Sequence, residues 1–262
     1  MSERLIDIVA VPDRPGVSRW QAVAPRGSVA GLASLRSTIP FGPDPPQPPA
    51  PELSLQVEPE WRRRGIGSRL LATVRAQTAE PRLVADVVAG SPGEAFCLRH
   101  GFRHTRSRRQ DLLTYCDVHR AWLGELVDAE HPGYRLTHWT GDLPDAPRVE
   151  ELLRGPSRPG DTVLTAAAAD GVLAAYAMAV VGALSRPRAR QYGPVVLPGH
   201  RGRRLGPWVN AALIQRLREL HPHVNEIEAA AEDDPDLLAA RSHLGFRPLR
   251  RTRHYELTLR GT

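Results

Sequence analysis

Apolar and polar positions along this chain fall into short alternating runs and short helical runs, in an order that occurs twice. Trp20 to Val23 and Ser28 to Leu35 alternate around an Ala-Pro-Arg-Gly turn, the layout of a hairpin. The proline-rich stretch from Pro40 to Pro51 cannot continue a sheet, because proline has no ladder donor and restrains the residue before it. Leu53 to Val57 then alternate as a strand, and Glu58-Pro59-Glu60 stops it. After the turn RRRGIG, the positions Leu70, Leu71 and Val74 keep a helical period to about Gln77. Leu83 to Val88 reads as a buried strand, and Ser91-Pro92-Gly93-Glu94 opens a short helix that ends at a left-handed cap on Gly101. Asp111 to Val118 is expected to close this first sheet, and Trp122 to Val127 to form a linking helix.

The pattern restarts beyond His131-Pro132-Gly133. Tyr134 to Trp139 is a strand, Val149 to Leu153 a short helix, and Thr162 to Ala168 with Val172 to Val181 a hairpin around Ala169-Asp170-Gly171. GPVVLPGHRGRRLG then repeats the strand and arginine-glycine turn, followed by a helix from about Pro207 to Leu220. Asn225 to Ala230, Pro235 to His243, the cap Gly245-Phe246 and an alternating Tyr255 to Leu259 complete the second round. Such a repeat divides the 262 residues into two units of one type, 1–131 and 132–262.

Composition narrows the function classes. All 35 basic residues are arginine, and against 29 acids they give a formal charge of +6, an excess too small to imply a polyanion by itself. The arginine groups carry no interleaved aromatic residues and no reader motif, so nucleic acid is not an expected partner. Two cysteines, Cys97 and Cys116, make neither a disulfide scaffold nor a zinc spacing, and no metal site is expected. The chain starts without a basic stretch leading into an apolar one and has no long apolar run, so a cytoplasmic protein without a membrane partner is the expectation.

The two turns carry the candidate chemistry. A glycine-rich turn running into a helix start presents unpaired amides and the positive end of the helix dipole, which together cradle an anion. In the first copy Arg62, Arg63, Arg64, Gly65, Ile66, Gly67 and Ser68 form the turn after Val57; in the second, Arg201, Gly202, Arg203, Arg204, Leu205 and Gly206 follow Leu197. The glycines lack the Rossmann spacing and no Walker lysine follows, so the spacing alone leaves an ordinary solvated turn open. Pro207, without an amide proton where Ser68 has one, makes the first cradle the stronger of the two on sequence grounds.

The run VEPEWRRRGIGSRLL resembles the acetyl-coenzyme A motif of the GNAT acyltransferase superfamily, Arg/Gln-x-x-Gly-x-Gly/Ala, with Arg62, Gly65 and Gly67 in its positions. The segment EAFCLRHGFR resembles that family's helix and Gly-Phe turn near the cofactor thiol. VLPGHRGRRLG and ARSHLGFRPLRR repeat both, with Arg204 where glycine is commoner. The paired layout resembles tandem members such as mycothiol synthase and related actinobacterial proteins. That resemblance implies an α/β fold of two tandem GNAT-like domains, each a mixed splayed sheet flanked by helices, with shortened N-terminal helical regions. It also implies an acetyl-coenzyme A or other acyl-coenzyme A donor, with Val57 or Leu197 on the strand along the pantetheine arm. A small-molecule amine would be the acceptor and N-acetyl transfer the activity; a noncatalytic ligand-binding or interaction module on the same fold is the alternative. A homodimer stays open.

Acyl transfer needs a proton acceptor and often an acid for the departing thiolate. Where the family commonly places a tyrosine, four residues before the Gly-Phe glycine, this chain has Cys97 and Arg241. A small buried thiol is the ordinary reading of Cys97, and phosphate support or a solvated helix face that of Arg241. Candidate bases are Glu52, ahead of the first central strand, and Glu228 and Glu232, at the end of NEIEAAAED. Tyr192 and His200 bracket the second central strand. His254 and Tyr255 lie on the closing strand on opposite faces, so only one of them faces a cleft. Structural or surface roles compete with function at each of these positions.

Overall fold

The computed structural model describes residues 6–12, 17–25, 27–36, 50–143, 148–182, 187–231 and 235–259. The first half contains β1 (Asp7–Val11), β2 (Val17–Val23), β3 (Val29–Arg36), β4 (Glu52–Val57), α1 (Ile66–Gln77), β5 (Arg82–Val88), α2 (Pro92–Arg99) and β6 (Arg103–Thr114). Helix α3 (Arg120–Asp128) links it to β7 (Arg135–Gly141), α4 (Val149–Arg154), β8 (Thr162–Ala169), β9 (Val172–Val181) and β10 (Arg188–Val196). Then follow α5 (Leu205–Leu220), β11 (Glu226–Ala231), α6 (Pro235–Leu244) and β12 (Arg247–Thr258).

All twelve strands form one mixed sheet in the order β1-β2-β3-β4-β5-β12-β6-β11-β10-β9-β8-β7. The closing strand expected for the first half leaves it: β6 pairs with β11, Glu226 opposite Thr114 and Ala230 opposite Gln110. In return β12 lies between β5 and β6, pairing Thr252 with Val88 and Thr258 with Arg82. Each half thus donates its last strand to the seam, and no open sheet edge is left there for stray pairing. Both exchanged strands are longer than the sequence pattern indicates. RHTRSRR and RPLRRT lack apolar alternation, yet they supply each other's backbone partners across a solvated part of the sheet. Strand β1 was likewise not indicated by the pattern; it adds to the edge of β2.

Two helices build the main cores on one face of the sheet. Leu70, Leu71 and Val74 of α1 bury against Leu53, Leu83 and Tyr255. Val209, Leu213, Ile214 and Leu217 of α5 bury against Ala175, Ala177, Ala189 and Ile227. Each such Leu or Ile contributes about 1.5–3 kcal/mol by leaving water. The alanine-rich β8 and β9 leave room for the sixteen-residue α5 to lie close on the strands. On the opposite face α4 covers only β7 to β10, with Trp139, Leu152, Leu164 and Met178 between.

Candidate functional site

Both arginine-glycine turns fold the same way. A short 3-10 turn, Pro59–Trp61 or Pro198–His200, follows β4 or β10, and four residues lead into α1 or α5. In each copy the second and fourth of these four are left-handed: Arg63 (φ 63°) and Gly65 (φ 76°), Gly202 (φ 75°) and Arg204 (φ 56°). Glycine and arginine have exchanged places with the backbone unchanged. A left-handed non-glycine residue costs about 1–2 kcal/mol, so the turn and not the residue dictates the conformation at Arg204. The last of the four caps its helix in both copies without a side-chain hydrogen bond, leaving the first amides of α1 and α5 directed outward.

Around the second turn the structure is open. Strands β10 and β11 run parallel from Arg188 opposite Glu226 to Gln191 opposite Ala229 and then part. β10 also breaks register with β9 between Tyr192 and Val195. A cavity of about 1200 Å³ fills the gap, walled by Tyr192 to Val196, the turn Arg201 to Pro207, Ala239, Ala240 and His243 of α6, and Trp122, Glu125 and Leu126 of α3. Five arginines, Arg108, Arg190, Arg201, Arg203 and Arg204, face two acids, Glu125 and Glu130, across it. The balance favours an anionic ligand. Arg241 ties the two parting strands together: its Nη2 donates to the Gly193 carbonyl at 2.6 Å and its Nη1 to the Ala230 carbonyl at 2.8 Å, with 1% of the residue exposed. It therefore neither supports a phosphate nor lies on a solvated face.

The first turn is filled. The Phe96 ring from α2 lies against it, so that a Cβ added to Gly67 would sit 3.2 Å from Phe96 Cε2. Phe96 packs on His100 at 4.3 Å, and His100 Nε2 engages the Ser68 hydroxyl at 3.0 Å. Arg62 is drawn back to the Val57 carbonyl, 3.0 Å from Nε, and Arg64 lies 5.1 Å over the Trp61 ring. Counted back from Gly101 and Gly245, the residue matching Phe96 in the second half is Ala240, which lines the open cavity. Phe96 thus lies beside the first turn where the smaller Ala240 lies beside the second.

At the inner end of the cavity lies a charged cluster made by both halves. Cross-strand register puts Asp86, His254, Arg108, Glu228 and Arg190 on one face of the sheet. Arg190 reaches Glu52 at 3.4 Å and Asp86 at 3.5 Å, although five strand intervals, about 24 Å in a flat sheet, separate β10 from β4. The sheet is thus curled, with this face concave. Asp86 also meets His254 Nδ1 at 2.8 Å. Burial would raise the Asp86 carboxyl, but His254, Arg190 and Arg108 outweigh it and hold it below the usual range. Burial likewise opposes the Arg190 charge, and Tyr192, Glu52 and Asp86 more than offset that, so Arg190 stays cationic. Tyr192 stacks beside Arg190, 5.5 Å from ring centroid to guanidinium, and burial pushes its hydroxyl pKa up.

No protein-family model matches the chain, and no curated protein does. Solved structures do. A tandem GNAT protein from the clavulanic acid biosynthesis pathway superposes with a TM-score of 0.66, at 23% identity over 95% of this chain and 86% of that one. A GCN5-related N-acetyltransferase from Kribbella flavida gives 0.58 at 17% identity over 88% of each chain. One from Sphaerobacter thermophilus gives 0.51 at 16% identity over 93% and 81%. This chain has the tandem GNAT fold.

Within that GNAT fold, the residues singled out from sequence separate into groups. Tyr192, Arg201, Gly202, Arg203, Arg204, Leu205 and Gly206 line the cavity, and Leu197 packs just beyond its strand in the α4 core. Glu52 joins them through Arg190. Val57, Arg62, Arg63, Arg64, Gly65, Ile66, Gly67 and Ser68 form the strand end and the first turn, beside which Phe96 and His100 pack. Glu228 shares the concave face, where Arg188 at 3.3 Å and Arg250 already engage it. Tyr255 faces the other way: it is 1% exposed and donates to Glu94 at 2.6 Å, within the α1 core. Glu232 lies outside the described residues. Cys97 is buried, and burial together with Glu94 pushes its thiol to about 11, which suits a packing role. Asp86 and Arg190 were not anticipated, because nothing local marks a residue that meets its partners only through the curl of the sheet.

Proposed function

We propose that the protein is an acyl-coenzyme A-dependent N-acyltransferase whose donor occupies the cleft of the second half. The observation that carries this reading is the parting of β10 and β11 into a basic cavity closed at one end by the Arg201 to Gly206 turn. The outward amides of α5 would receive the donor's pyrophosphate, with Arg201 and Arg204 supplying field. Val195 and Val196 lie where an extended arm could run along the strand toward Tyr192. The thioester then sits where the cavity meets the concave face, and the acceptor amine approaches from that face. His254, whose Nδ1 is oriented by Asp86, takes the proton as the amine nitrogen bonds to the acyl carbon and the carbon–sulfur bond breaks. Arg190, fixed by Glu52 and Asp86, holds the two halves of this face together.

A noncatalytic acyl-coenzyme A-binding module is the second reading, favoured by Arg241. Its guanidinium replaces the usual tyrosine and is engaged by two backbone carbonyls. Incubating the protein with acetyl-coenzyme A and a panel of small amines, followed by mass spectrometry, separates the two readings. A protein-dependent acyl adduct on one amine supports the enzyme; donor binding with no adduct across the panel supports the binding module. Absence of donor binding to folded protein rejects both.

A further inference from the structure

The large cavity has two cationic ends, and the donor accounts for one of them. Arg201, Arg203 and Arg204 belong to the turn that would hold the pyrophosphate, whereas Arg108 and Arg190 line the end that opens on the concave face of the sheet. An acyl-coenzyme A carries its phosphates at one end, and its pantetheine arm and thioester are neutral. The donor therefore brings no anion to Arg108 and Arg190.

Positive charge is in excess where the cavity meets that face. The charges of Arg108 and Arg190 bear on the Asp86 carboxylate, and those of Arg190 and Arg36 on the Tyr192 hydroxyl. Two carboxylates oppose these three guanidiniums: Glu52 and Asp86, which Arg190 meets at 3.4 Å and 3.5 Å. Arg106, opposite His254 across the β12–β6 pair, adds a further cation. Farther out on the face the charges cancel in pairs, Arg188 with Glu226 at 2.6 Å, Arg250 with Glu228, and Arg82 with Glu256 at 3.2 Å. The local field thus favours a ligand that brings one negative charge of its own. Register fixes where the two ends of such a ligand would lie. Thr252 stands opposite Arg108 and His254 opposite Arg106, so Arg108 is the diagonal neighbour of His254 on the same face, with about 7–8 Å between their backbones. His254 commits its Nδ1 to Asp86 at 2.8 Å, which leaves Nε2 to meet the acceptor amine. An anionic group a few bonds from that amine reaches the Arg108 guanidinium, whose planar fork of N–H donors matches a carboxylate or a phosphate.

We infer that the acceptor is a small amine carrying an anionic group a few bonds from the reacting nitrogen, as an amino acid does, and that Arg108 engages this group beside Arg190. The inference rests on the acyltransferase reading above and adds the chemical class of the acceptor. Initial rates of the full chain with acetyl-coenzyme A test it, comparing amino acids with their carboxamides and phosphoethanolamine with ethanolamine. The amine of a carboxamide is the more readily deprotonated, so a preference for the acid form reports recognition of the anion. The expected result is a kcat/KM at least about tenfold higher for the anionic member of one comparison or both, expressed mainly in KM. Which comparison shows the preference tells carboxylate from phosphate. Arg108→Gln should shrink the preference at least about fivefold, and Arg108→Lys should keep part of it. Neutral amines accepted as well as their anionic counterparts, or an Arg108→Gln protein with the preference unchanged, would overturn the acceptor class and leave the acyltransferase reading standing. Bound donor with no acyl adduct on any amine would overturn both. Thermal melting of each variant keeps loss of fold distinguishable from loss of the contact.

Discussion

A carboxylate placed at the start of each main helix should have opposite consequences in the two halves. At Gly206, a buried position that lines the cavity, an added Cβ would lie 3.4 Å from Val196 Cγ2 and 3.7 Å from Pro194 Cγ, ordinary contact. A negative charge in the first turn of α5 should favour the unliganded helix by about 0.3–1 kcal/mol. Against one phosphate charge at roughly 5 Å, with an effective dielectric near 20, the same carboxylate repels by about 3 kcal/mol. Even with half of that lost to solvent screening, Gly206→Asp should weaken acetyl-coenzyme A binding at least about tenfold. At Gly67 the Cβ meets Phe96 Cε2 at 3.2 Å, a crowded site, and the groove is already filled. Gly67→Asp should therefore lower stability by about 1 kcal/mol and leave donor affinity unchanged. Calorimetric titration and thermal unfolding read both quantities, with Gly206→Ala as the uncharged control. The reasoning is refuted if Gly67→Asp weakens donor binding while Gly206→Asp binds as wild type.

Three further outcomes follow from the described contacts. His254→Gln and Asp86→Asn should lower kcat for the amine acceptor by roughly 100-fold or more while leaving the donor Kd within about twofold, since neither residue lines the donor cavity; an unchanged kcat removes the pair from the chemistry. Arg241→Met should cost about 2 kcal/mol or more in urea unfolding, because two partly buried carbonyls lose a charged donor that is itself 1% exposed; near-native stability would show that the parted strands do not need this link. The Glu94 carboxyl is held down to about 2 by the Tyr255 hydroxyl, the Gly90 amide and Arg253. Its folded pKa lies below the unfolded one, so its stabilisation is present above about pH 4.3 and is lost as pH falls through about 2. Glu94→Gln should thus flatten the acid limb of the stability curve between about pH 5 and 2, and an unaltered limb would contradict the contact.

The sequence made the local parts of the account readable. Periodicity located the helices through Leu70 and Pro207, and the repeated turn marked where both start, because both signals are local. Gly101 and Gly245 are left-handed at the helix ends, as the Gly-Phe pairs indicated; a Cβ on Gly245 would lie 2.4 Å from the Asp117 carbonyl oxygen. Three features were not readable, each for a long-range reason. The exchange of β6 and β12 depends on pairing between arginine-rich strands that carry no apolar alternation. The different surroundings of the two turns include Phe96 and Ala240, each far along the chain from the turn it lies beside and unremarkable where it stands. The cluster of Glu52, Asp86, Arg190 and His254 depends on the curl of the sheet, which brings β10 back to β4.

The most direct test is a crystal structure of the full chain grown with coenzyme A. The account predicts one molecule, with its pyrophosphate on the Arg201 to Gly206 turn and its arm between the parted ends of β10 and β11, while Phe96 still fills the groove beside Gly67. Coenzyme A seated on the Arg62 to Ser68 turn, with the second cleft empty, would contradict it.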